Sequence, residues 1–286
     1  AAPARRQRGA VLVEFAFVAF LMYLLMAAVI DFGRLFYSYQ VAHDAAKVTA
    51  DEIAVIPLPA SYTLEQALAD PQVRARVFQP EHLVIDLDNI PGGLGLRDFM
   101  DSLPVLNQML RPLMIFDRVG GRRLLRYPGA LLTSPGTPSG YTVGIPYVEG
   151  RAADGTETIT WVPIIEEIRN PNFPSESPFS ADTPAGMPER NLVRIRINFP
   201  FQASMLSGFR EAPGGPLAPN VNNRIQANDG GVTQTNAAPG GLIGGSEAGP
   251  YAGAFGLGKL YSHAEEVRPF RRLLSVQAIA RRQVLE

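Results

Sequence analysis

The sequence predicts an α+β protein: a long N-terminal helix, transmembrane and then amphipathic, followed by a β-rich exported domain of antiparallel sheet with long Gly/Pro loops. Three observations carry this. The run FAFVAFLMYLLMAAVI from Phe15 to Ile30 contains no charge, glycine or proline. Helical spacing of apolar and small residues then continues until Pro57. Beyond Phe116, short apolar–polar alternations separated by Gly and Pro take over.

The segments follow in order: a basic leader or cytoplasmic flank over 1–9, the transmembrane and amphipathic helix over 10–56, a helical and loop segment over 57–115, and a β-rich exported domain over 116–286. From Ala10 to Ile30 a helix rises roughly 30 Å at about 1.5 Å per residue, the hydrocarbon thickness of a bilayer. A signal-peptide apolar region is shorter, about 7 to 15 residues, and ends at a small-residue cleavage site. Arg5, Arg6 and Arg8 precede the run, while Asp31, Arg34, Asp44, Lys47, Asp51 and Glu52 follow it. A purely positive flank stays on the cytoplasmic side, so everything after about Asp31 is placed outside.

Past the apolar run, Asp31 with Arg34 and Asp44 with Lys47 have the three-residue spacing of surface charge pairs. Ala42, Ala46 and Ala50 form a row four residues apart. Such a row either lets another helix approach closely or only reflects alanine's helix propensity.

The block RGAVLVEFAFVAFLMYLLMAAVIDFGRLFYSYQVAHDAAKVTA resembles the N-terminus of TadE-like proteins, the pseudopilins of tight-adherence pili. The shared elements are Gly9, the pair Glu14-Phe15, the apolar run, Asp31-Phe32-Gly33-Arg34, and the alanine-rich continuation from Gln40 to Ala50. The resemblance implies cleavage by a prepilin peptidase between Gly9 and Ala10, which leaves Glu14 as the fifth mature residue. It implies that Glu14 compensates the new N-terminal amine of a neighbouring subunit, a carboxylate in lipid being costly unless paired. Read from the residues alone, Glu14 is equally an interfacial carboxylate reaching the headgroups. Phe15, Asp31, Gly33 and Arg34, with the alanine row, are the implied helix-packing positions.

The implied partners are the membrane, other pilin or pseudopilin subunits, the pilus assembly machinery and the prepilin peptidase, with no nucleic acid and no cofactor. The implied location is the bacterial inner membrane, single-pass, N-terminus cytoplasmic, with incorporation in a pilus. The function expected is structural: assembly, initiation or capping of a type IV-like pilus in adhesion. The alternative is a single-pass, membrane-tethered envelope binding module unrelated to pili. A tethered hydrolase is a remote third.

Further along, 57–69 reads as a turn and then a short helix (TLEQALADPQVRARVF) interrupted at Pro71, LVIDL (83–87) as a strand, and 97–114 as helical pieces broken at Pro104 and Pro112. Asp86, Asp88 and Asn89 lack the spacing and terminal glutamate of a calcium loop and read as a solvated turn. FDRVGGRRLLRYPG reads as a hairpin. So do YTVGIPYVE and DGTETITWVPIIEEI, joined near Asp154, with Val143, Ile145, Ile159, Trp161 and Val162 as core candidates. In NLVRIRINFPF, Leu192, Ile195, Ile197 and Phe199 do not share one parity, which predicts a bulge or a strand covered on both faces. Arg194 and Arg196 share a face, read as the wet one. This strand resembles the closing V-x-V-x-aromatic strand of TadE-like proteins. RLLSVQAIARRQ closes the chain as strand or helix. The Gly-rich insertion 212–258 holds 12 glycines, 5 prolines and 3 charged residues, and reads as a flexible loop or a packing insertion.

The net charge of −1 argues against a broad nucleic-acid footprint. With no cysteine there are no disulfides, thiolate metal sites or cysteine nucleophiles. His43, His82 and His263 lack metal spacing, GGLIGG lacks the Lys of a P-loop, and no nucleophile elbow is present. Catalytic and metal residues are therefore expected to be none.

Overall fold

The computed structural model describes residues 4–119, 121–134, 136–151, 153, 157–182, 189–202, 232–234 and 271–283. Helix α1 (Ala4–Ala54) is unbroken for 51 residues, roughly 75 Å at about 1.5 Å per residue. It already includes residues 4–9, since nothing in ARRQR breaks a helix. It stops two residues short of Ile56, ahead of Pro57. The last carbonyls find partners: Ile53 accepts from the Ile56 amide at 3.3 Å, and Ala54 from the Gln283 amide at 2.9 Å.

Two short helices follow, α2 (Leu64–Ala69) and α3 (Pro71–Arg76). Thr63 and Gln66 form a reciprocal capping box at α2, and Asp70 caps α3 with Pro71 in the first turn. Strand β1 (Val84–Asp86), helices α4 (Leu96–Asp101) and α5 (Val105–Leu110), and strands β2 (Ile115–Val119) and β3 (Arg122–Arg126) come next. Gly121, at φ +85°, supplies the left-handed residue of the β2–β3 turn. These strands pair antiparallel in the order β1-β3-β2.

A second sheet runs β4 (Ala130–Thr133), β5 (Tyr141–Arg151), β6 (Glu157–Val162) and β9 (Val232–Gln234). Its β4–β5 and β5–β6 pairings are antiparallel, and β9 joins β6 in parallel. Gly129 lies so close to β5 that a Cβ there would fall 2.5 Å from Val143 Cγ1 and 2.6 Å from the Gly144 carbonyl, so only glycine fits. The third sheet has the order β10-β8-β7, built from β10 (Arg271–Arg281), β8 (Leu192–Gln202) and β7 (Ile165–Glu167). The closing segment, read as strand or helix, is thus a strand.

The core lies where the upper half of α1 meets that third sheet. Val193, Ile195, Ile197, Phe199 and Phe201 of β8 are buried, as is Val276 of β10. On the helix, Ala42, Ala45, Ala46, Ala50 and Ile53 are buried opposite them. Each fully buried Val or Ile stabilises the fold by about 1.5–3 kcal/mol. All five β8 residues share one parity, and β8 pairs with β10 in unbroken register from Leu192 to Gln202. Of the two arrangements expected for this strand, a bulge or cover on both faces, the bulge is absent. A register shift falls instead between Val148 and Gly150 of β5. The other face of β8 is covered at one end, where Asn198 and Pro200 are buried. Arg194 and Arg196 lie on its part-exposed end, beside the exposed Ile279 and Gln277 of β10, and pair with Glu189 and Glu166.

Of the hairpin core candidates, Val143 and Ile145 are buried and Val162 is half-buried, while the side chains of Ile159 and Trp161 lie outside the described residues. So does the 212–258 insertion, apart from β9.

Buried polar groups tie the sheets and the helix end together. The Tyr127 hydroxyl donates to the Asn198 carbonyl at 2.9 Å, and burial pushes its pKa far above the usual phenol value. The Asn198 amide nitrogen donates to the Pro163 carbonyl at 2.8 Å and to Glu166 at 2.9 Å, and its oxygen accepts from Ser275 at 2.7 Å. Arg126 and Asp117 form a fully buried pair at 2.6 Å. Arg282, 4 % exposed, donates to the carbonyls of Phe179 at 2.7 Å, Leu58 at 2.8 Å and Pro59 at 3.1 Å. Its guanidinium lies 4.0 Å from the centre of the Phe179 ring.

Two outcomes follow. Replacing Arg282 by Met keeps the stem but leaves buried carbonyls unpaired, an expected loss of about 3 kcal/mol in denaturant unfolding of the full chain in mild detergent; an unchanged midpoint contradicts the bridging role. The second concerns His82, which rests edge-on against Phe99 at 5.4 Å with a buried, unpartnered Nδ1. Burial lowers its pKa below the ordinary imidazole value, with Arg74 adding to the shift and Glu81 opposing it. The unfolded chain therefore takes up its proton first, near pH 6.5. Stability is full above that pH and falls as the solution is acidified towards the folded-state pKa. Unfolding midpoints at pH 7.5 and 5.5 are expected to differ in that direction, and less so in His82→Gln.

Candidate functional site: the N-terminal rod

The lower half of α1 carries the feature that most needs a function. From Val11 to Val29 nearly every large apolar side chain is exposed, Phe15 at 70 % and Val13 at 71 %. Soluble proteins do not leave so long an apolar surface in water. The helix is long and apolar enough to cross a membrane, with mean hydropathy 2.4 over its best 18-residue window, of which 6 % is buried.

Gly9 and Ala10 lie inside the helical backbone of α1, and their side chains are outside the described residues. Glu14 is exposed, one turn into the apolar run. Asp31 is buried at 5 %, with Arg34 at 4.0 Å and half in solvent. A Cβ added at Gly33 would meet nothing within 4 Å. Asp44 accepts from Gln40 at 3.0 Å and does not pair with Lys47. Ala42, Ala46 and Ala50 sit beneath the chain's own third sheet at 0–1 % exposure. That face of α1 is thus covered by the chain's own body, in which β8, β10 and α5 pack against the helix.

The sequence reading passed over an aromatic group between Ile30 and the folded domain. Phe32 (59 %), Phe36 (69 %), Tyr37 (56 %) and Tyr39 (48 %) are all exposed. Tyr39 and His43 stack at 6.3 Å. The three- and four-residue steps from 32 to 36, 39 and 43 were visible in the sequence as a signal.

Elsewhere the described residues offer little chemistry. A cleft of about 300 Å³ lies between Phe78, Leu83, Val143, Ile164 and Ile165. Its carboxylate, Glu81, is held by Arg74 at 2.7 Å. A hollow of about 360 Å³ beside Phe116 is rimmed by Arg118 and Arg123. Asp86 pairs with Arg122 at 3.3 Å and Asp88 with Arg123 at 2.7 Å, so both carboxylates of the 86–89 turn face arginines. Hydrogen bonds from the Arg123 backbone and side chain hold Asp88 below the usual carboxylate range. Among the described residues no three His, Asp or Glu side chains gather as a metal site would need.

Residues 9–51 match the family described as TadE-like protein. A search of the curated proteins and one of the solved structures found no match. The family match is confined to α1 and covers both its bare lower half and the alanine row that seats the sheet.

Because Ala46 is fully buried between helix and sheet, Ala46→Leu overpacks the seat and is expected to cost about 1–3 kcal/mol in chemical denaturation. An unchanged midpoint would mean that the sheet does not rest on this helix face.

Proposed function

We propose that this chain is a structural, non-enzymatic pseudopilin or minor pilin of the TadE-like kind. It is held in the bacterial inner membrane by the lower half of α1 and takes part in assembly, initiation or capping of a tight-adherence pilus. The observation that carries this reading is the coincidence of the family match over residues 9–51 with a bare apolar rod holding one carboxylate near its start. Lipid is the solvent such a surface needs, and the basic flank before it favours a cytoplasmic N-terminus. The domain built on the upper half of α1 then stands outside the membrane.

In this reading prepilin peptidase cuts between Gly9 and Ala10. The removal puts a positive amine four residues before Glu14. An ionised carboxylate at the centre of a membrane helix costs about 2.5–3.5 kcal/mol on insertion scales, and less near the edge. An incoming subunit whose amine meets Glu14 offsets that cost, which ties membrane exit to correct docking.

Intact-mass measurement of the protein from its native membrane is expected to show residues 1–9 removed. Glu14→Gln is expected to leave membrane retention unchanged while recovery with other pilin subunits drops to background. An intact N-terminus together with full assembly of Glu14→Gln would favour a tethered envelope module instead.

A further inference from the structure

In the β1-β3-β2 sheet, β2 has no strand on its outer side among the described residues. Such an edge leaves backbone donors and acceptors free to pair with another chain. Alternate residues of a strand point the same way, so Phe116 and Arg118 share one face, with Leu125 and Arg123 opposite them on β3. Phe99 and Met100 of α4 cover Ile85 and Leu125 on that face. Beyond them Phe116 stands 72 % exposed, barer than Phe15 of the rod. A hollow of about 360 Å³ opens beside it, walled by Leu87 and Phe116 and rimmed by the two arginines.

Charge is not balanced there. Arg118 and Arg123 lie directly opposite each other in the ladder, and like charges so placed repel. One carboxylate, Asp88, stands between them. It accepts from the Arg123 amide at 2.9 Å and from the Arg123 guanidinium at 2.8 and 2.7 Å. Arg118 only adds to the field at Asp88, and among the described residues no carboxylate comes within ion-pair distance of it. Its neighbour Asp117 points to the other face and holds Arg126 at 2.6 Å.

These features together specify what fits. The open backbone edge takes an extended chain. Arg118 takes a carboxylate and the hollow takes an apolar side chain, and the two must stand two residues apart to share a face. A guard against edge-to-edge pairing would need the charge but not the bare Phe116.

We propose that β2 is a docking edge for an extended acidic segment of a partner protein. The segment adds as a fourth strand, with an apolar side chain in the hollow against Phe116 and Leu87 and a carboxylate on Arg118.

The test reads fluorescence anisotropy of labelled peptides on the full chain in mild detergent. The probes are acetyl-Thr-Val-Thr-Glu-Thr-amide and the same peptide with lysine in place of glutamate. Saturable binding of the glutamate peptide and none of the lysine peptide is expected. Arg118→Glu is expected to reverse that preference, which also shows that the variant is folded. Phe116→Ser is expected to weaken the glutamate peptide severalfold. Two further glutamate peptides carry N-methyl groups at alternate residues, one set facing β2 and the other facing solvent. One of them is expected to lose binding and the other to keep it. Equal binding of both charges, or no saturable binding, overturns the proposal and leaves Arg118 an edge guard only. Equal binding of both methylated peptides overturns strand addition. Self-association of the chain that Phe116→Ser abolishes, with no peptide bound, overturns the choice of partner and gives the edge to a second copy.

Discussion

One helix carries two different surfaces. Over its lower half α1 presents apolar side chains on nearly every side; over its upper half it buries one face of alanines and Ile53 beneath a sheet. Because the helix is continuous, the position of the sheet on the upper half fixes how far the domain stands from the lower half. Ala42, Ala46 and Ala50 let the backbone of β8 and β10 come close, while Val193, Ile195 and Ile197 fill the space between. Larger helix residues would lift the sheet and tilt the domain.

Hydrogen bonding then makes that seat unique. Apolar burial alone tolerates sliding, whereas buried polar atoms accept few arrangements. Asn198 joins β8 to the Pro163 carbonyl, to Glu166 and to Ser275 of β10, and its own carbonyl receives the Tyr127 hydroxyl. At the top of α1, Arg282 gathers three carbonyls from two distant loops, and the next residue closes the helix by donating to Ala54. The C-terminal strand is thereby bound to the end of the N-terminal helix.

Much of this was legible in the sequence, for physical reasons. The rod announced itself through a run without charge. Pro71 marked the interruption between the small helices, and the glycine turn marked the hairpin at 115–126. What the sequence hid depends on distant partners. Nothing in RLLSVQAIARRQ marks Arg282 as buried, since terminal arginines usually face water, and its carbonyls come from Leu58, Pro59 and Phe179. The mixed parity of β8, which left a bulge or two covered faces open, came from counting Leu192 among the core residues. The inward row is Val193 to Phe201, and Leu192 lies at the strand's start. The alanine row left two options open, and the answer lay in a sheet more than 140 residues away. The aromatic stripe was visible as spacing, but its exposure needed the fold.

The central claim is that the lower half of α1 lies in lipid while the stretch just above it stands in water. The most direct measurement labels single cysteines with a membrane-impermeant thiol reagent added outside intact membranes. Val18→Cys and Leu25→Cys are expected to stay unlabelled until the membrane is dissolved, while Tyr37→Cys and Asp44→Cys label at once. Labelling of Val18→Cys and Leu25→Cys in intact membranes would contradict the account.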